Sequence, residues 1–134
     1  MKTITLLLIS IGFIIGGVMH FTNDADLAAI TPLPFALEIV WITGVMEFFF
    51  VIFLLLPKYR KVTGLWLSLF CLVILTANIN MAINNIPMFD EQVDPLIAWA
   101  RIPMQFVLIA LIFYATDCGQ LIKKYGAKAL IHCE

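Results

Sequence analysis

Four long apolar runs, at about 3–21, 36–56, 62–83 and 96–118, alternate along the chain with short polar interruptions. At about 1.5 Å per residue each run makes a helix roughly 28–35 Å long, enough to cross a hydrocarbon core of about 30 Å. The pattern predicts an all-α protein: a transmembrane four-helix bundle, with 1–134 as a single membrane domain and a tail over 119–134. The interruptions carry their own signals. Thr22-Asn23-Asp24 ends the first helix, and Thr31-Pro32-Leu33-Pro34 keeps the chain extended before the second, with one helical turn expected between them around Leu27–Ile30. Asp94-Pro95 supplies an N-cap and a first helical residue for the fourth span.

Composition agrees with the pattern. The chain is 63% hydrophobic and 13% charged, with a mean hydropathy of +1.03, far too apolar for a soluble domain of this size. The net charge of −1 says little, but its distribution says more. Lys2, Lys58, Arg60, Lys61, Lys123, Lys124 and Lys128 all fall on one side of a four-span arrangement. By the positive-inside rule that side, with both termini, is cytoplasmic. Asp24, Asp26, Asp90, Glu91 and Asp94 then face the opposite compartment. Lys2 and the apolar stretch after it resemble the start of a signal peptide, but no small-x-small cleavage site follows and the run continues to Phe21, so it reads as the first span. Cys71, Cys118 and Cys133 form no C-x-x-C pair and support neither a disulfide framework nor a dithiol centre.

Polar residues inside the spans are where function is expected. Gly12, Gly16 and His20 recur every four residues on one face of the first helix, a pattern suited to close helix packing. Glu38 and Glu47 lie on opposite faces of the second; Glu38 can reach the headgroups, whereas Glu47 is mid-span, one turn from Thr43 and Gly44. Gly64, Ser68, Cys71 and Asn78 share a face of the third helix, and Asn80 looks elsewhere. Arg101 and Gln105 share a face of the fourth, with Pro103 between them. Antiparallel spans bring His20, Glu38, Asn78, Arg101 and Gln105 to one level in the outer half, with Glu47 somewhat deeper.

This set admits three readings: a clasp that fixes helix register, with Arg101 paired to Glu47 or Glu38; a pocket for a small lipophilic molecule; or a path for protons or ions. No nucleophile triad, nucleotide motif or metal-ligand cluster is present, no nucleic-acid partner is expected, and His20 is the only histidine in a span, which leaves no bis-histidine haem site.

The same residues carry a family resemblance. Gly17-Val18-Met19-His20-Phe21, Thr43-Gly44-Val45-Met46-Glu47, Ala77-Asn78-Ile79-Asn80-Met81 and Arg101-Ile102-Pro103-Met104-Gln105, with Pro32 and Pro34 before the second span and Leu56-Pro57 after it, resemble the motifs of the DoxX-like family of small four-helix membrane proteins. The resemblance implies the bundle and a bacterial inner-membrane location. It also implies a role beside quinone-linked oxidation, with a quinone head group accepting from Arg101, Gln105, Asn78 or His20. Distant relatives that act as assembly chaperones imply the alternative, an assembly factor with a membrane-protein partner or a homo-oligomer.

Overall fold

A computed structural model describes residues 1–88 and 92–131, with side chains through Tyr125. Asp90, Glu91 and Cys133, named above, lie outside the described residues. Six helices follow in order: α1 (Lys2–Thr22), α2 (Asp24–Ile30), α3 (Ala36–Leu55), α4 (Arg60–Asn84), α5 (Pro95–Thr116) and α6 (Gly119–Ile131). Four of them, α1, α3, α4 and α5, are long and apolar enough to cross a membrane. Their bounds fall within about two residues of the apolar runs, because the capping and breaking residues act where they stand. The Asp94 side chain accepts from Leu96 N–H at 2.8 Å with Pro95 in the first turn. Asn85 closes α4 in the left-handed region at φ 48°, its N–H returning to the Met81 carbonyl. The expected turn around Leu27–Ile30 is the two-turn helix α2, and the tail begins as α6.

Packing follows the chain. α1 lies chiefly against α3 and α4 against α5, while the seams between α1 and α5 and between α3 and α4 are sparser. The main core joins Leu6, Ile9, Phe13, Val51, Leu54, Leu67, Phe70, Cys71 and Ile112. A smaller cluster of Ile30, Met81 and Met88 lies at the α2 end. Large apolar side chains such as Leu8, Ile42, Trp66 and Val107 are exposed around the outside, as expected of helices whose solvent is lipid. At the other end Lys2 Nζ meets both carboxylate oxygens of Asp117 at 2.7 and 2.8 Å, and Lys61 Nζ donates to Gln120 Oε1 at 2.7 Å. The hydrogen bond from Lys2 holds the Asp117 carboxyl below the usual carboxylate range. As with any depressed acid, the link is intact at neutral pH and is lost only as pH falls through that lowered value.

The glycines divide by what they face. A methyl on Gly44 would come within 2.6 Å of His20 Cβ, one on Gly16 within 2.8 Å of Glu47 Oε2, and one on Gly17 within 2.9 Å of Phe48. Gly64 is likewise filled by Thr116. Gly12 meets nothing within 4 Å, so the close-packed stripe expected from Gly12 to His20 begins only at Gly16. Gly44→Ala therefore lowers stability by about 1–3 kcal/mol, the usual cost of overpacking, whereas Gly12→Ala leaves it unchanged or raises it by up to about 1 kcal/mol through helix propensity. Unfolding in mixed micelles measures both, and equal losses for the two variants would contradict this packing.

Candidate functional site

The polar residues of α1 and α3 meet because each helix presents a small residue where the other presents its polar one. Gly44 admits His20 and Gly16 admits Glu47. His20 Nδ1 lies 2.7 Å from the Val40 carbonyl and 3.1 Å from Thr43 Oγ1, and the Thr43 hydroxyl itself donates to Val40 O at 2.9 Å. A carbonyl oxygen only accepts, so Nδ1 carries a hydrogen and donates. The other ring nitrogen, Nε2, faces Glu47 Oε1 at 3.5 Å. Two lone pairs would repel across that gap, so a proton lies between the two groups, either as imidazolium with carboxylate or as imidazole with carboxylic acid. Glu47 is 4% exposed, and its second oxygen, Oε2, has no hydrogen-bond partner among the described residues. An unpartnered oxygen in a buried carboxyl group is costly, about 1–3 kcal/mol even when neutral.

Neither carboxylate pairs with Arg101. Glu47 is taken by His20, and Glu38 is exposed on the outside of α3. The half-buried Arg101 instead points Nη1 at two thioether sulfurs, Met81 Sδ at 3.5 Å and Met88 Sδ at 3.4 Å, which are weak acceptors. Gln105 donates to the Cys71 carbonyl at 3.0 Å, tying α5 to α4. Asn80 donates to the Ile30 carbonyl at 2.9 Å and thereby fastens α2 to α4.

A cavity of about 170 Å³ opens beside these groups at the α2 end of the bundle. His20, Thr43, Glu47, Asn78 and Arg101 line it within a wall that is otherwise largely apolar, including Leu27, Ile30, Ile39, Ile74 and Met88. Four of the five sequence candidates are thus brought together. Gln105 is not: it lines two outward-facing grooves, one of about 420 Å³ shared with Gly12, Gly16 and Glu47, the other of about 430 Å³ shared with Asn78 and Arg101. The secondary candidates Glu38 and Asn80 line none of these cavities. Sequence reasoning missed Val40, Met81, Met88 and the wall supplied by α2. The signal for two of them was present, since Val40, Thr43 and Glu47 stand three and then four residues apart on one face of α3, and Met81 follows Asn78 by three. No cluster of three metal-ligating side chains is found among the described residues.

Fold and site together define an all-helical protein with four helices long and apolar enough to span a membrane and a polar-walled cavity toward one end. It belongs to the family described as a domain of unknown function, DUF8561, whose model matches residues 9–116, from α1 to the end of α5. No curated protein and no solved structure matches the chain.

The His20–Glu47 contact is testable on its own. His20→Ala leaves both Glu47 oxygens without a partner and destabilises the protein more than it does in a chain already carrying Glu47→Ala, with a coupling of about 1 kcal/mol in a double-mutant cycle. Additive losses would mean that the two side chains do not interact.

Proposed function

We propose that this protein is a bacterial inner-membrane protein, both termini cytoplasmic, that binds a lipophilic small molecule with a one-ring polar head group, of the quinone type, as an accessory to membrane redox metabolism. The observation that carries the reading is the buried Glu47 carboxyl beside the cavity, with Oε2 unpartnered. The cavity suits such a head group: it has few convergent polar groups in an apolar wall, and about 150 Å³ is enough for a single benzene-sized ring. Arg101, which among the described residues is held only by thioethers, and Asn78 stand ready to donate to ring oxygens. The DoxX-like motifs named above supply the link to quinone-associated proteins, and the basic residues at the end of Lys2 and Lys61 supply the orientation.

A second reading, an assembly factor whose polar residues only clasp the bundle, has its own support. Gln105–Cys71, Asn80–Ile30 and His20–Val40 are all interhelical links. That reading accounts for these residues but not for the cavity or for Glu47 Oε2.

Lipid extracts of the purified protein analysed by mass spectrometry, together with titration by a short-tailed p-quinone, decide between them. The proposal expects a copurifying lipophile or saturable binding, weakened about tenfold or more in Arg101→Ala. An empty wild-type protein, with Arg101→Ala indistinguishable from it in titration, would reject the ligand site and leave the clasp. Orientation is checked separately by single cysteines in a background lacking the native ones. A cysteine at position 58 is expected to react with a membrane-impermeant maleimide only in inside-out vesicles, and one at position 26 only in spheroplasts; the reverse pattern would invert the topology.

A further inference from the structure

The end of the bundle away from His20 has a cavity of its own, of about 190 Å³, framed by the first turns of α1 and α4 and the last turn of α5. Its lining brings three cations, Lys2, Arg60 and Lys61, together with one carboxylate, Asp117. Lys2 and Asp117 offset each other, since Lys2 Nζ lies against both carboxylate oxygens. Arg60 and Lys61 have only neutral partners: Arg60 Nε and Nη2 donate to the carbonyls of Leu54 and Leu55 at 3.2 and 3.5 Å, and Lys61 Nζ to the Gln120 amide oxygen. Neither has a carboxylate at ion-pair distance among the described residues. Helix ends of both signs meet here, with α1 and α4 beginning and α3 and α5 ending, so the backbone dipoles offset one another and the side chains set the field. That field is positive. Arg60 Nη1 is engaged with none of the described residues, and a guanidinium fork matches the oxygens of a phosphate. Because the four long helices are of membrane-spanning length, their ends fall at headgroup level, where a basic pocket between helices is suited to an anionic headgroup.

We propose that this cavity binds the phosphate group of an anionic phospholipid, with Arg60 and Lys61 donating to the phosphate oxygens. It is separate from the His20 cavity and does not depend on what that cavity holds. Lys58 distinguishes a built site from a generally basic membrane edge, because it stands three residues before Lys61, is exposed and does not line the cavity. Asp117 acts in the opposite sense, its charge opposing an incoming anion. Asparagine in its place tolerates the left-handed φ of 55° and removes only the charge.

The test is a titration of the full-length protein in micelles of an uncharged detergent, read by native mass spectrometry and by the shift in thermal unfolding. Three probes are used: a short-chain phosphatidylglycerol, the phosphatidylcholine with the same chains, and glycerophosphoglycerol, the water-soluble headgroup of the first. Wild type is expected to bind phosphatidylglycerol about tenfold or more tightly than phosphatidylcholine, whose own ammonium balances its phosphate. Arg60→Gln and Lys61→Gln each weaken that binding about fivefold, the effect of one basic residue on an anionic headgroup, and Asp117→Asn tightens it by a similar factor. Lys58→Gln leaves it unchanged. Equal binding of the two lipids by wild type, or a loss in Lys58→Gln as large as in Arg60→Gln, overturns the site. Glycerophosphoglycerol binding as tightly as the lipid, and weakened by the same variants, keeps the phosphate site and overturns the lipid as its source. The two-lipid comparison on wild type and the Asp117→Asn variant keep the result readable if Arg60→Gln fails to fold.

Discussion

A carboxyl group cannot be placed in the middle of an apolar bundle unless the surrounding helices are built to receive it. Glu47 is received by two devices acting together. Gly16 removes the side chain that would occupy its place, and His20 shares a proton with it while anchored to the Val40 carbonyl. Gly44 does the reciprocal service for His20. The spacing between α1 and α3 is thus tied to a proton and two missing methyl groups, and α1 and α3 form one of the two closest helix pairs. The cavity beside them is shared with α4 and α5, whose Asn78 and Arg101 also line it.

The fold was largely legible in the sequence because the signals are local and strong. Apolar run lengths, the Thr22-Asn23-Asp24 stop and the Asp94-Pro95 start each act within a turn of where they lie, and the helix bounds follow. The site was legible in part. Facing residues within one helix were read correctly from the helical period: Gly16 with His20, Thr43 with Glu47, Ser68 with Cys71. Partners across helices were not, because the period fixes a direction around each axis but not the rotation of one helix against the next. Arg101 shows the difference. Opposite charge made Glu47 or Glu38 its natural partner, yet the rotation of α3 turns Glu38 outward and gives Glu47 to α1, and Arg101 meets Met81 and Met88 instead.

A short helix has an outsized place in this arrangement. α2 is only seven residues long, yet Ile30 is buried and its carbonyl is held by Asn80, while Leu27 lines the cavity. The connection between α1 and α3 is therefore part of the cavity wall.

The sparse seam between α1 and α5 has a mechanical meaning. Helices α1 and α3 form one leaf and α4 and α5 the other, and at the end away from the cavity the leaves are pinned by the Lys2–Asp117 pair. At the cavity end His20 and Glu47 belong to the first leaf, Asn78 and Arg101 to the second. The molecule is in effect a book tied at one edge by that pair and at the other by the short α2, through Asn80 and Ile30, its polar residues printed on facing pages. Whatever bridges those pages adds to the tie that α2 already makes between the leaves at that end.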